Sequence, residues 1–175
     1  MFRVMTAAMV LAGVSFVAHA DDAPVKAAPK NEQFEKMKKL AGTWVEADKD
    51  GKATEKVVSV IKVTAAGSTV HETLFPGQPQ EMVSLYHVDK GDLYMTHYCL
   101  LGNQPKLKAD PKSKTGTIHF QFVGGTNLDP TKDMHMHEGT LTFVDDDHLE
   151  MAGVAWVDGK PSENHCGTKK LVRKK

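Results

Sequence analysis

The chain has 175 residues, with 22 Lys and Arg balanced by 22 Asp and Glu, nine histidines and two cysteines. Zero formal charge excludes a broad cationic face of the kind that nucleic acid or an anionic membrane surface requires. A chain of this length suits one domain, large enough to bury about two thirds of its unfolded surface.

Residues 1–20 read as a secretory signal peptide. Arg3 is their only charge, Val4 to Val17 is almost wholly apolar, and Ala18-His19-Ala20 is a small-x-small cleavage signal before Asp21. The apolar core is too short for a transmembrane helix, and no later stretch reaches spanning length, so membrane insertion is not expected. Loss of the leader removes Arg3 and no acid, leaving a formal charge of −1. The expected location is the periplasm or the exterior.

Residues 21–32 are rich in Ala, Pro and Lys without apolar periodicity, which marks a flexible linker. Residues 33–175 form the predicted domain. Phe34, Met37, Leu40 and Ala41 recur at helical spacing and Gly42 follows them, which predicts a short amphipathic helix that plugs or braces the rest.

Everything after Gly42 reads as β-structure. Turn signals such as Asp50-Gly51, Lys90-Gly91-Asp92, Gly102-Asn103 and Asp158-Gly159 separate about ten short strands. They are Thr43–Asp48, Thr54–Thr64, Thr69–Phe75, Glu81–Asp89, Leu93–Leu101, Lys106–Asp110, Thr115–Val123, Met134–Val144, His148–Val157 and Glu163–Val172. With no second helix for a crossover, an all-β antiparallel up-and-down barrel is expected. Alternation puts Leu93, Met95, His97 and Cys99 on one face. It likewise groups His135, His137, Leu141 and Phe143, with Met134 and Met136 opposite.

Leu40-Ala41-Gly42-Thr43-Trp44 opens the β region with Gly-x-Trp, and Arg173 stands in the last strand. This resembles the lipocalin-like, or calycin, barrels, among exported bacterial proteins of uncharacterised function. The resemblance implies that Arg173 covers the Trp44 ring where first and last strands meet. Such a cation–π contact is worth about 0.5–2 kcal/mol.

Three segments, Thr96-His97-Tyr98-Cys99, His135-Met136-His137-Glu138 and Asn164-His165-Cys166, concentrate metal-ligating side chains. They reach one rim of the barrel only if Lys106–Asp110 is a strand. An oxidising compartment favours a Cys99–Cys166 disulfide, although strands five and ten of such a barrel stand on opposite walls.

The leading expectation is non-catalytic binding of a small, largely apolar molecule, with Met95, Phe120, Phe122, Leu141 and Phe143 lining the cavity. His97, His135 and His137 would hold its polar end. The alternative turns His97, His135, His137 and Cys99 into ligands for zinc, copper or haem, since an H-x-H pair on a strand points both rings to one side. A metal-dependent hydrolase is a further class, although Glu138 has the wrong parity to act as its base. Ligand identity and oligomeric state are left open by the sequence.

Overall fold

The computed structural model describes residues 30–162 and 167–175, so the leader, most of the linker, His165 and Cys166 lie outside the described residues. A closed antiparallel barrel of ten strands carries one short helix. The strands are β1 (Gly42–Ala47), β2 (Ala53–Thr64), β3 (Thr69–Leu74), β4 (Met82–Asp89), β5 (Asp92–Tyr98), β6 (Gln104–Ala109), β7 (Thr117–Thr126), β8 (His135–Phe143) and β9 (His148–Val157). A short β10 (Lys160–Ser162) and β11 (Lys169–Arg173) complete the set. Neighbours pair in chain order from β1 to β9, and β11 bridges β9 to β1, so the ring has no free edge there.

The last expected strand differs from its sequence reading. Pairing starts at Lys160 rather than Glu163, because Asp158 (φ 51) and Gly159 (φ 68) form a two-residue hairpin turn. Two consecutive left-handed residues match the twist of the flanking strands, so β10 folds straight back onto β9.

The helix α1 (Glu32–Lys39) closes one end. Asn31 caps it by accepting from the Phe34 amide at 2.9 Å, satisfying one of the orphan donors of its first turn. Its apolar side is inserted into the barrel: Phe34 and Met37 are fully buried and join a core with Trp44, Leu93, Ile118, Leu149 and Leu171. Each such side chain contributes about 1.5–3 kcal/mol relative to exposure. Asn31 donates to the Gly91 carbonyl, and Gln33 donates to that of Asp110, tying the helix to two turns at that end.

Arg173 locks the same end. It pairs with Trp44 across β1 and β11, and its guanidinium stands 4.4 Å from the indole centroid. Its nitrogens donate to the carbonyls of Lys39, Ala41 and Asp146. Gly42 is required beneath it: φ is +140°, and an added Cβ would come within 2.9 Å of Arg173 Nη1. No helix among the described residues is long and apolar enough to cross a membrane.

Candidate functional site: the open mouth of the barrel

Because Gln104–Ala109 is a strand, the chain reverses between β5 and β8 so that His97 and Cys99 share an end with His135 and His137. That end is opposite α1. It opens into a cavity of about 460 Å³ walled by Val58, Leu74, Phe75, Met82, His97, Cys99, Leu100, Leu101, Met134, His135, Met136, Met151 and Ala155, among others. Lys169, at the start of β11, and Gly167 just before it also line the wall. Leu100 and Leu101, on the β5–β6 turn, are more than 45 % exposed and give the opening an apolar lip.

The sequence-derived site residues divide three ways. His97 and His135 line the mouth cavity, and both are buried. Met95, Phe120 and Leu141 line a smaller cavity of about 40 Å³ deeper in the barrel. Phe122, His137 and Phe143 line neither. Phe143 instead packs against the core near the helix-closed end.

Strict alternation fails in β8, and the reason is a bulge. Met136 pairs with Ala155 and Glu138 with Val154, so His137 is the extra residue on its strand. Met136 therefore faces inward beside Ala155 and lines both cavities, where alternation from His135 set it on the opposite face. Met134 also reaches the mouth cavity.

His137 is displaced into a stack. Its ring lies 3.7 Å from the Trp156 ring centroid at 11°, and 5.1 Å from Phe122 at 25°. His135 Nδ1 is 2.8 Å from the Asp133 carbonyl, which can only accept, so that nitrogen carries the proton. His135 Nε2 lies 3.0 Å from His137 Nδ1. Both His135 nitrogens are thereby engaged. Burial, and then neighbouring His135, hold His137 below the ordinary imidazole range.

His97 sits differently. Its Nδ1 is 3.0 Å from Ser84 Oγ, it is 2 % exposed, and burial lowers its pKa to about 4. It is a neutral imidazole at physiological pH.

Ser84 begins a buried polar network that sequence reasoning did not identify. Glu72, Ser84 and His97 are successive cross-strand partners on β3, β4 and β5, forming one row across the inner wall. Glu72 Oε1 accepts from Ser59 Oγ at 2.7 Å, and Oε2 accepts from the Tyr86 hydroxyl at 2.6 Å. Burial raises the Glu72 pKa against the pull of those two donors. Tyr86 is pushed well above the usual phenol range by burial and then by the Glu72 charge, while a hydrogen bond with Ser84 acts the other way. A signal was available: Glu72 alternates with Val70 and Leu74, so the acid falls on the buried face of an otherwise regular strand.

Asn103 is buried at the turn below the lip and donates to the Met134 carbonyl at 2.8 Å, joining the β5–β6 turn to the start of β8. Among the described residues its Oδ1 and the Trp156 indole N–H have no hydrogen-bond partner. No three His, Cys, Asp or Glu side chains among the described residues are grouped so as to hold a metal ion. Cys99 forms no disulfide within them, and its expected partner Cys166 is outside them. No family model matches the chain, and no curated protein is similar to it.

Proposed function

We propose that the protein is an exported, lipocalin-like carrier that binds one small, largely apolar molecule in the mouth cavity without transforming it. The observation that carries this reading is the cavity itself. A space of about 460 Å³ falls within the roughly 300–1,000 Å³ typical of small-molecule sites. Its wall is mostly aliphatic and thioether, with a few polar groups to orient a ligand. Four methionines, Met82, Met134, Met136 and Met151, contribute to it. Unbranched thioethers adapt to irregular ligand shapes and make favourable contacts with aromatic rings.

The rest of the fold supports a carrier. Helix α1 and Arg173 seal one end, while the other stays open, so a ligand has one entrance. His97 supplies a hydrogen-bonding edge, with its Nδ1 committed to Ser84 so that the ring stays oriented, while His135, held by Asp133 and His137, is a fixed part of the wall.

The test is binding of prodan, a small apolar dye whose emission shifts on leaving water. The wild-type chain should bind about one dye per chain. Ala155→Phe, which projects a ring from a buried position on the cavity wall, should abolish binding while the protein still melts cooperatively. Undiminished binding by that variant would sink the assignment of the cavity.

A further inference from the structure

Beneath the mouth cavity, the inner cavity of about 40 Å³ is lined by Glu72, Ser84, Tyr86, Met95, Phe120 and Met136, among others. Leu74, Met136, Met151 and Ala152 belong to both walls, so only shared side chains separate the two spaces. The inner space is large enough for one small polar group, since a water needs only about 10–15 Å³ by this measure.

The group that faces it is unusual. Glu72 is 2 % exposed, and both its hydrogen-bond donors, Ser59 and Tyr86, are uncharged hydroxyls. Among the described residues no lysine or arginine pairs with it, and the charged group acting on it is the adjacent His71. A buried carboxylate is ordinarily paired with a cation, because leaving its charge unopposed in a low-dielectric interior is costly. A carboxylate offers about four lone-pair positions, and among the described residues two are used.

We propose that the ligand is a small amine with an apolar body, its ammonium group seated in the inner cavity against Glu72 and its body among the methionines of the mouth. This rests on the carrier reading and names the ligand class for the same site. Three features support it. The ammonium supplies the cation that Glu72 lacks, and donates to the free lone pairs. His97 presents no competing positive charge on the way in, because burial holds it neutral. The aliphatic and thioether wall takes a hydrocarbon or aromatic body while excluding water from the ion pair, which strengthens it.

The experiment is isothermal titration of the full mature chain at pH 8 with n-hexylamine, n-hexanol and n-hexanoate, which share a body and differ in the polar end. The amine should bind at least about tenfold more tightly than the alcohol, with the carboxylate weakest because Glu72 repels it. Glu72→Gln should bring the amine to the level of the alcohol in a variant that still melts cooperatively. Gly139→Ala provides a second route. Its added Cβ would lie 3.9 Å from Met95 Cε and 4.0 Å from Phe120 Cβ, an unstrained fit that narrows the inner cavity alone. It should lower the preference for the amine over the alcohol.

Equal binding of amine and alcohol by the wild-type chain would overturn the amine assignment and leave the carrier reading standing. So would a preference that survives Glu72→Gln. Failure of all three compounds to bind would overturn both.

Discussion

Ser84 Oγ lies 3.0 Å from His97 Nδ1 across the β4–β5 pairing, so among the described residues a ring that is 2 % exposed has its polar contact from a neutral hydroxyl. Among the described residues no acid is placed to stabilise the protonated ring, and burial lowers its pKa to about 4. For a base whose folded value lies below its unfolded value, the unfolded chain takes up the proton first. Stability from this group is therefore complete above the unfolded value of 6.5 and falls as the pH drops toward 4. The loss by pH 4 is about 3 kcal/mol. Urea unfolding at pH 7 and at pH 4.5 should show His97→Gln losing much less stability than the wild type. Equal losses would contradict the buried, neutral ring.

Glu72 reverses that sign. Its folded pKa is raised by burial, so the protonated acid is the form the fold prefers. Its favourable contribution is present below the unfolded value of 4.5 and is lost as the pH rises through the folded value. Glu72→Gln should consequently gain stability relative to the wild type between pH 4 and pH 8. A difference that stays flat over that range would show that Glu72 titrates normally.

Tyr86→Phe removes the 2.6 Å donor to Glu72 without changing ring volume. It should destabilise the protein by about 1–3 kcal/mol, the usual consequence of leaving a buried partner unsatisfied. The ring packs 5.8 Å from Phe120, and the variant retains that contact. Chemical denaturation therefore reads the hydroxyl alone. A loss below about 0.5 kcal/mol would mean that another group takes over as donor.

The contrast between these residues shows what the sequence made legible. Turn dipeptides and alternation located ten strands and their order, because a closed meander has few other solutions once Gln104–Ala109 pairs on both sides. Gly42, Trp44 and Arg173 were legible through a side-chain resemblance at the closure. Glu72 was harder to see, because its buried polar setting comes from Ser59, Ser84 and Tyr86 on neighbouring strands. On β4 the pattern was masked further, since the outward Val83 and Leu85 are as apolar as inward residues. Met136 was assigned to the wrong face because a bulge at His137 changes parity, and a bulge leaves no mark in hydropathy.

Arg173 and Gly42 act as one unit at the sealed end. Arg173→Ala removes the contact with Trp44 and three carbonyl partners, and should cost about 1–3 kcal/mol. Arg173→Lys keeps the charge but not the planar fork, so it should recover less than half of that loss. Gly42→Ala forces the guanidinium aside and strains a φ of +140°. Because both changes disrupt the same contact, the double variant should be more stable than the sum of the single losses predicts. Strict additivity in urea unfolding would show that Gly42 acts through its own backbone conformation alone.

His137 offers a spectroscopic test of the bulge. Its ring is stacked 3.7 Å from Trp156 and nearly parallel to it, with Phe122 5.1 Å from the same imidazole. A protonated imidazole quenches indole emission far more strongly than a neutral one, so Trp156 should report the charge on His137. The other tryptophan, Trp44, is fully buried under Arg173 and is removed from the signal by Trp44→Phe. In that background, emission should fall on acidification with a midpoint below 6.5, because burial and His135 both disfavour the charged ring. His137→Ala should raise emission and abolish the transition. His135→Ala should move the midpoint upward, since it removes the second-largest cause of the depression. A transition that persists unchanged in His137→Ala would place the quenching group elsewhere and contradict the stack.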